Sequence, residues 1–117
     1  MSAGWPQDLV PVVAPDFLAR AIGWLLDRGP ADLRVSPLRS YPVALAFVVE
    51  HHCEADVQAT REAYRHARAE LGGLMSASEL TVIQQALEAQ GARALATRRE
   101  VALVRAAVEQ VANAHGA

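Results

Sequence analysis

Apolar residues in the C-terminal half of the chain recur at alternating steps of three and four, which places them on one face of a helix. A second stripe with the same spacing lies just upstream. The two stripes predict helices at about 42–71 and 77–113 that pack lengthwise, as in a coiled coil. The downstream stripe consists of Leu80, Ile83, Leu87, Gln90, Ala94, Thr97, Val101, Val104, Val108 and Val111. The upstream stripe consists of Val49, Cys53, Val57, Thr60, Tyr64, Ala67 and Leu71.

The segment between these helices carries the signals of a helix end followed by a helix start. Gly72 and Gly73 favour the end of the first helix, because glycine is the usual residue just past a helix C-terminus. Ser76 and Glu79 fit a capping box, in which each side chain binds the backbone N–H of the other residue. A connection this short makes the two helices antiparallel neighbours.

Antiparallel packing allows the layers of the hairpin to be assigned. Each layer then uses a stripe position on both helices, from the turn to the far end. The pairs are Leu71–Leu80, Ala67–Ile83, Tyr64–Leu87, Thr60–Gln90, Val57–Ala94, Cys53–Thr97, Val49–Val101 and Ala46–Val104. The central layers are small or polar, so we expect the two backbones to approach closely there. Such layers either define the register of a helix pair or leave room for another group.

Prolines shape the N-terminal region. Pro6 and Pro11 predict that residues 1–14 form an extended arm, because proline removes a backbone donor and restricts the residue before it. Trp5 and Leu9 are large apolar residues within this arm. We therefore expect the arm to lie along a surface, either of this chain or of a partner.

A short helix is predicted at about 15–28. Pro15 suits its first position, and Gly29 with Pro30 suits its end. Its apolar face is broad, which indicates burial on more than one side. Residues 30–41 follow as a connector in which Ser36 and Pro37 favour one short turn.

These elements predict an all-α fold, a three-helix bundle in a single domain over residues 1–117. The first helix would be roughly 20 Å long and would cover less than half of the hairpin. The uncovered apolar positions suggest a homodimer, most simply of C2 symmetry; the alternative is a set of exposed apolar residues tolerated in water. The candidate interface residues are Trp5, Leu9, Val48, Leu95 and Leu103.

Composition narrows the class of protein. The net charge of −2 gives no field that would steer a polyanion. All eleven basic residues are arginine, which is typical of a GC-rich bacterial genome. A lone Cys53 forms no intramolecular disulfide. We find no signal-peptide pattern and no apolar run long enough to cross a bilayer, so the cytoplasm is the expected location.

The only cluster that resembles a chemical site is the segment from Glu50 to Asp56. It places His51, His52 and Cys53 side by side, and these residue types bind zinc. Adjacent helical residues point about 100° apart and do not converge on one metal. We therefore expect no bound metal or cofactor; a weaker candidate is a ligand region between the first helix and the hairpin, formed by Trp24, His52, Cys53 and Asp56.

Two further patterns have ordinary explanations. Glu62, His66 and Glu70 are spaced by four, which suits surface pairing on a helix as well as acid–base chemistry. Arg61, Arg65 and Arg68 form a basic edge, but glutamates are interleaved on the same helices. No aromatic platform or DNA-reading motif accompanies these arginines. Nucleic-acid binding is therefore a third hypothesis, below the two that follow.

No catalytic motif is present, and we expect that the protein is not an enzyme. The leading hypothesis is a non-catalytic cytoplasmic protein–protein interaction module, a homodimeric adaptor or regulator whose partners are a second copy and another protein. The alternative is a small-ligand or metal-binding sensor that uses the region near Trp24. No membrane partner is expected.

Overall fold

A computed structural model describes the backbone of residues 3–116 and the side chains of residues 3–114. Residues 1–2 of the arm and residue 117 of the domain lie outside the described part. Over the described residues the fold is all-helical, with three α-helices: α1 at Phe17–Leu26, α2 at Pro42–Leu71 and α3 at Ala77–Gly116. Two short 3₁₀ helices, Ala31–Val35 and Pro37–Ser40, connect α1 to α2. The predicted three-helix bundle is confirmed.

The signals at the hairpin turn act largely as predicted. Ser76 Oγ accepts from the Glu79 N–H at 3.2 Å, and Glu79 Oε1 accepts from the Ser76 N–H at 2.8 Å, so the capping box forms. Helix α2 has the predicted bounds, and α3 extends to Gly116, beyond the predicted end at 113. Gly72 has an ordinary helical φ of −59°, so the turn needs no left-handed glycine there.

Polar contacts between α2 and α3 confirm the antiparallel register. Tyr64 Oη donates to Glu88 Oε1 at 3.1 Å, and Arg98 donates to Glu54 Oε2 at 2.7 Å. One layer differs by a residue from the prediction. Gly91 faces Thr60, since a Cβ on Gly91 would lie 3.5 Å from Thr60 Cγ2. Gln90, placed in this layer by the sequence pattern, is exposed.

Helix α1 packs on one end of the hairpin only. The buried core of that end combines residues of the arm, α1, the first 3₁₀ helix, the start of α2 and the C-terminal part of α3. We call this end the base. Its core residues are Leu9, Phe17, Ala21, Trp24, Leu25, Leu26, Leu33, Leu45, Ala46, Val49, Cys53, Val101, Val104, Ala107 and Val108.

Helix α1 is shorter than predicted at both ends. Ala14 and Phe17 donate their N–H groups to Pro11 and Ala14 carbonyls, so the chain enters α1 through turns and Pro15 is not helical. At the other end the Gly29 N–H bonds to the Leu25 carbonyl after the last helical residue. The predicted helix at 15–28 therefore loses about one turn to flanking turns.

The N-terminal arm packs on its own chain. Leu9 is buried at 6% exposure, and the Trp5 ring lies 6.0 Å from the Phe17 ring. The Trp5 indole donates to the Leu9 carbonyl at 3.3 Å. Asp8 accepts from the Trp24 indole at 2.8 Å and from Arg28 at 2.6 Å. The described part of the arm, from residue 3, is thus joined to α1 by both packing and charged hydrogen bonds.

The part of the hairpin beyond α1 consists of two helices alone. We call residues 56–71 of α2 and 77–97 of α3 the distal hairpin. The molecule measures 59 Å along its longest axis. No helix in the described residues is both long and apolar enough to span a membrane.

Candidate interaction surfaces of the distal hairpin

The distal hairpin buries very little of itself. Its well-buried side chains lie on the line between the two helices, and they are small or few: Val57, Thr60, Ala67 and Leu80. Thr60 satisfies its hydroxyl locally, donating to the Asp56 carbonyl at 2.9 Å. Two helices joined by so narrow a contact have weak tertiary support, because most helical stability in proteins comes from packing of an apolar face.

Small side chains at the middle of the distal hairpin leave a groove on each of its two faces. Groove I has a volume of about 420 Å³. It is lined by Thr60, Arg61, Tyr64, Arg65, Leu87, Glu88 and Gly91. Groove II, on the opposite face, has a volume of about 540 Å³. It is lined by Asp56, Ala59, Thr60, Ala63, Leu87, Gln90, Arg93, Ala94 and Thr97.

Groove II continues the surface on which α1 packs. Residues seven apart lie on the same face of packed helices. Val49 of α2 packs in the base core, and Asp56 and Ala63 follow it at steps of seven. On α3, Val104 packs in the same core, and Thr97 precedes it by seven. The two halves of this face therefore differ in one respect: α1 fills the base half, and the distal half is open.

Helix α1 ends on the base side of this open groove. A Cβ on Gly29 would lie 3.1 Å from Val49 Cγ2, which shows that the chain leaves α1 beside the first third of α2. Phe17, at the start of α1, lines a surface pocket with Val111 near the far end of α3. Helix α1 thus runs along the base, and the α2 lining of groove II begins at Asp56, about two helical turns beyond Val49.

Groove I lies within a row of interhelical polar contacts on the other face. Glu50 pairs with Arg105 at 3.0 Å and Glu54 with Arg98 at 2.7 Å on the base side of the groove. On its distal side Arg68 donates to Gln84 at 3.1 Å. We call this surface, which contains groove I and the contacts of Glu50, Glu54, Arg68, Gln84, Arg98 and Arg105, the ladder face. Hydrogen bonds from Gln58 and Arg98 hold the pKa of Glu54 below its usual value of 4.5.

The five predicted interface residues divide between the core and the surface. Leu9 is buried within the chain and presents no surface to a partner. Trp5 and Val48 are half-buried and pack against the base core. Leu103 and Trp5 line a pocket between the arm and α3. Leu95 is half-buried and, by its spacing of three from Arg98, lies on the ladder face.

The predicted ligand region is not brought together. Trp24 and Cys53 are buried in the base core, whereas His52 and Asp56 are exposed on α2. Burial raises the pKa of the Cys53 thiol to about 11, and nearby Asp56 acts in the same direction. The thiol is therefore protonated near neutral pH, and it is buried in the base core.

The remaining candidate chemical groups also remain separate. His51 is exposed and lies edge-on to the Phe47 ring, with the ring centroids 4.6 Å apart. Glu62, His66 and Glu70 are all exposed on α2. Within the described residues, no three His, Cys, Asp or Glu side chains are arranged to hold a metal ion. Both grooves lie at the small and polar central layers, where the sequence predicted either a defined register or room for another group. Sequence reasoning did not show that there would be a groove on each face, because no motif marks them.

Comparison with protein-family models, with curated proteins and with solved structures yields no match for this chain. Function must therefore be inferred from the surfaces of the molecule. The distal hairpin is the region where the fold leaves packing positions open.

Proposed function

We propose that the protein is a non-catalytic cytoplasmic interaction module, a homodimeric adaptor or regulator, that binds a helix of another protein in groove II. One observation supports this most: groove II repeats, at heptad spacing, the surface on which α1 packs in the base. A surface that accepts one helix at one end and is open at the other favours a second helix in line with the first.

The lining of groove II suits the close approach of a helix. Ala59 and Ala63 project little from α2, so a partner backbone can pack near it. Asp56 and Arg93 lie at the edges and offer one charge of each sign. The partner helix would therefore have an apolar stripe flanked by a basic and an acidic residue, which is the helix-in-groove mode of recognition.

Site-specific photo-crosslinking tests this proposal. A photoreactive amino acid is placed at Ala63, in groove II, and in a matched chain at Ala69, which is also exposed on α2 but lies outside the groove. Both chains are expressed in the native host and irradiated. We expect a discrete adduct with another protein from position 63 and none from position 69.

A blocking variant makes the test specific to the groove. Ala59→Arg fills groove II and should abolish the adduct from position 63, whereas Ala69→Arg should leave it unchanged. An adduct of equal yield from both positions, an adduct insensitive to Ala59→Arg, or no adduct at position 63 would each contradict the proposal. Circular dichroism of each variant checks that the helices remain folded.

A further inference from the structure

The charges on the ladder face reverse sign halfway along the hairpin. On α2 the base half carries Glu50 and Glu54, and the distal half carries a row of arginines, Arg61, Arg65 and Arg68. On α3 the order is opposite. Arg98 and Arg105 lie in the base half, and Glu88 lies in the distal half.

The two halves use these charges differently. In the base half each carboxylate is paired with an arginine across the hairpin. In the distal half, among the described residues, Arg61 and Arg65 form no ion pair with any side chain. Both guanidinium groups border groove I. Within the described part of the chain, the distal ladder face therefore presents two guanidinium groups that no carboxylate contacts directly.

The same face carries exposed apolar side chains. Phe47 is 47% exposed and Tyr64 is 40% exposed, although aromatic residues are costly to leave in water. The Arg105 guanidinium lies 5.1 Å from the Phe47 ring, which places Phe47 beside the ladder. Leu95 lies between Gly91 and Arg98 at helical spacing. Apolar groups are thus interleaved with charged groups along the face.

We infer that the ladder face binds the ladder face of a second copy of this chain. An interface of C2 symmetry pairs a patch with itself, so the patch must be self-complementary. The reversal of charge along the ladder face makes this face complementary to itself. If the two hairpins run parallel, Arg61 and Arg65 meet Glu88 of the partner subunit; if they run antiparallel, the arginines meet Glu50 and Glu54 of the partner subunit.

The size of the face agrees with this inference. Helix α2 is roughly 45 Å long, and two adjacent helices are about 20 Å wide, which gives a footprint of roughly 900 Å² per copy. A typical specific interface covers about 800 Å² on each partner. The face is therefore large enough for a stable dimer. The inference rests on the homodimer in the proposed function, but it uses the face opposite groove II.

Sedimentation equilibrium and light scattering at several concentrations test the inference. The variant Arg61→Glu/Arg65→Glu reverses the two unpaired charges and leaves every intrachain ion pair in place. We expect the wild-type chain to dimerise and this variant to have a dimer Kd at least tenfold higher. Raising the salt concentration should weaken the wild-type dimer, because screening reduces the attraction between exposed charges.

A control with the same change in net charge is Arg39→Glu/Arg93→Glu, two exposed arginines that do not line groove I. This control should dimerise like the wild type. A wild-type chain that is monomeric at high concentration, or equal Kd values for both double variants, would overturn the inference. The groove II variant Ala59→Arg should still dimerise, so loss of the crosslinked adduct and loss of the dimer are separate outcomes.

Discussion

Asp8 shows how one side chain joins the N-terminal arm to the helical base. Its two carboxylate oxygens accept from the Trp24 indole and the Arg28 guanidinium, and Arg28 lies 3.7 Å above the Trp24 ring. These hydrogen bonds hold the pKa of Asp8 below its usual value of 3.8. The partners are sixteen and twenty residues away in the chain, and no periodic pattern connects them.

Replacing Asp8 with asparagine is expected to alter the acid dependence of stability. Because the native pKa is lowered, the ionised carboxylate stabilises the fold above about pH 4, and this contribution is lost as the pH falls further. We expect Asp8→Asn to lower the free energy of unfolding by about 0.5 kcal/mol near pH 7, since the group is largely exposed.

Urea denaturation followed by tryptophan fluorescence between pH 2 and 7 measures this effect. The difference between wild type and Asp8→Asn should shrink as the pH falls below 4. Asp32→Asn, in an exposed aspartate outside the arm, is the control and should show no such trend. A constant difference across the whole range would argue against a role for the ionised Asp8.

At the scale of single elements, α2 and α3 were predictable and α1 was less so. The three–four stripes, the capping box and the glycines at the turn define both long helices locally. The bounds of α1 depend on tertiary contacts, because the turns before it and Gly29 after it pack against the core. At the centre of the hairpin Gly91 faces Thr60, whereas the three–four spacing places Gln90 there. A strict spacing pattern misses this shift of one residue, because the 3.6-residue period of an α-helix drifts relative to the pattern.

Gly91 in α3 gives a prediction about this element. A Cβ at this position would lie 3.5 Å from Thr60 Cγ2, an ordinary contact. Alanine is favoured over glycine inside a helix, so Gly91→Ala should raise the free energy of unfolding by about 1 kcal/mol. By contrast, Gly29→Ala should lower the free energy of unfolding, because its Cβ would lie 2.7 Å from Leu33 Cδ1 and 3.1 Å from Val49 Cγ2, and both side chains are buried in the base core.

Chemical denaturation of the two glycine variants provides the comparison. A stabilised Gly91→Ala and a destabilised Gly29→Ala are expected. If Gly91→Ala were destabilised instead, the close approach of α2 and α3 would require glycine, and the two grooves beside it would be smaller than about 420 and 540 Å³.

At the scale of the whole molecule, the predicted length of the first helix showed that it would cover only part of the hairpin. The sequence did not show which end or which face of the hairpin this helix would cover. Those depend on where the connector and the arm dock, through residues such as Leu33 and Leu9. The predicted homodimer and the partner protein stay predictions. The grooves arise only once both helices are placed, because each is lined from both sides.

The central claim is that the molecule consists of a well-packed base and a weakly supported distal hairpin that supplies the binding surfaces. Hydrogen exchange of the backbone amides, measured in a dilute solution of the protein, tests this claim most directly, since exchange rates report local opening of the structure. Amides of Val101–Val108 should exchange at least tenfold more slowly than those of residues 57–70 and 80–97, and the distal amides should slow as the protein concentration is raised. Uniform protection along α2 and α3, independent of concentration, would contradict the account.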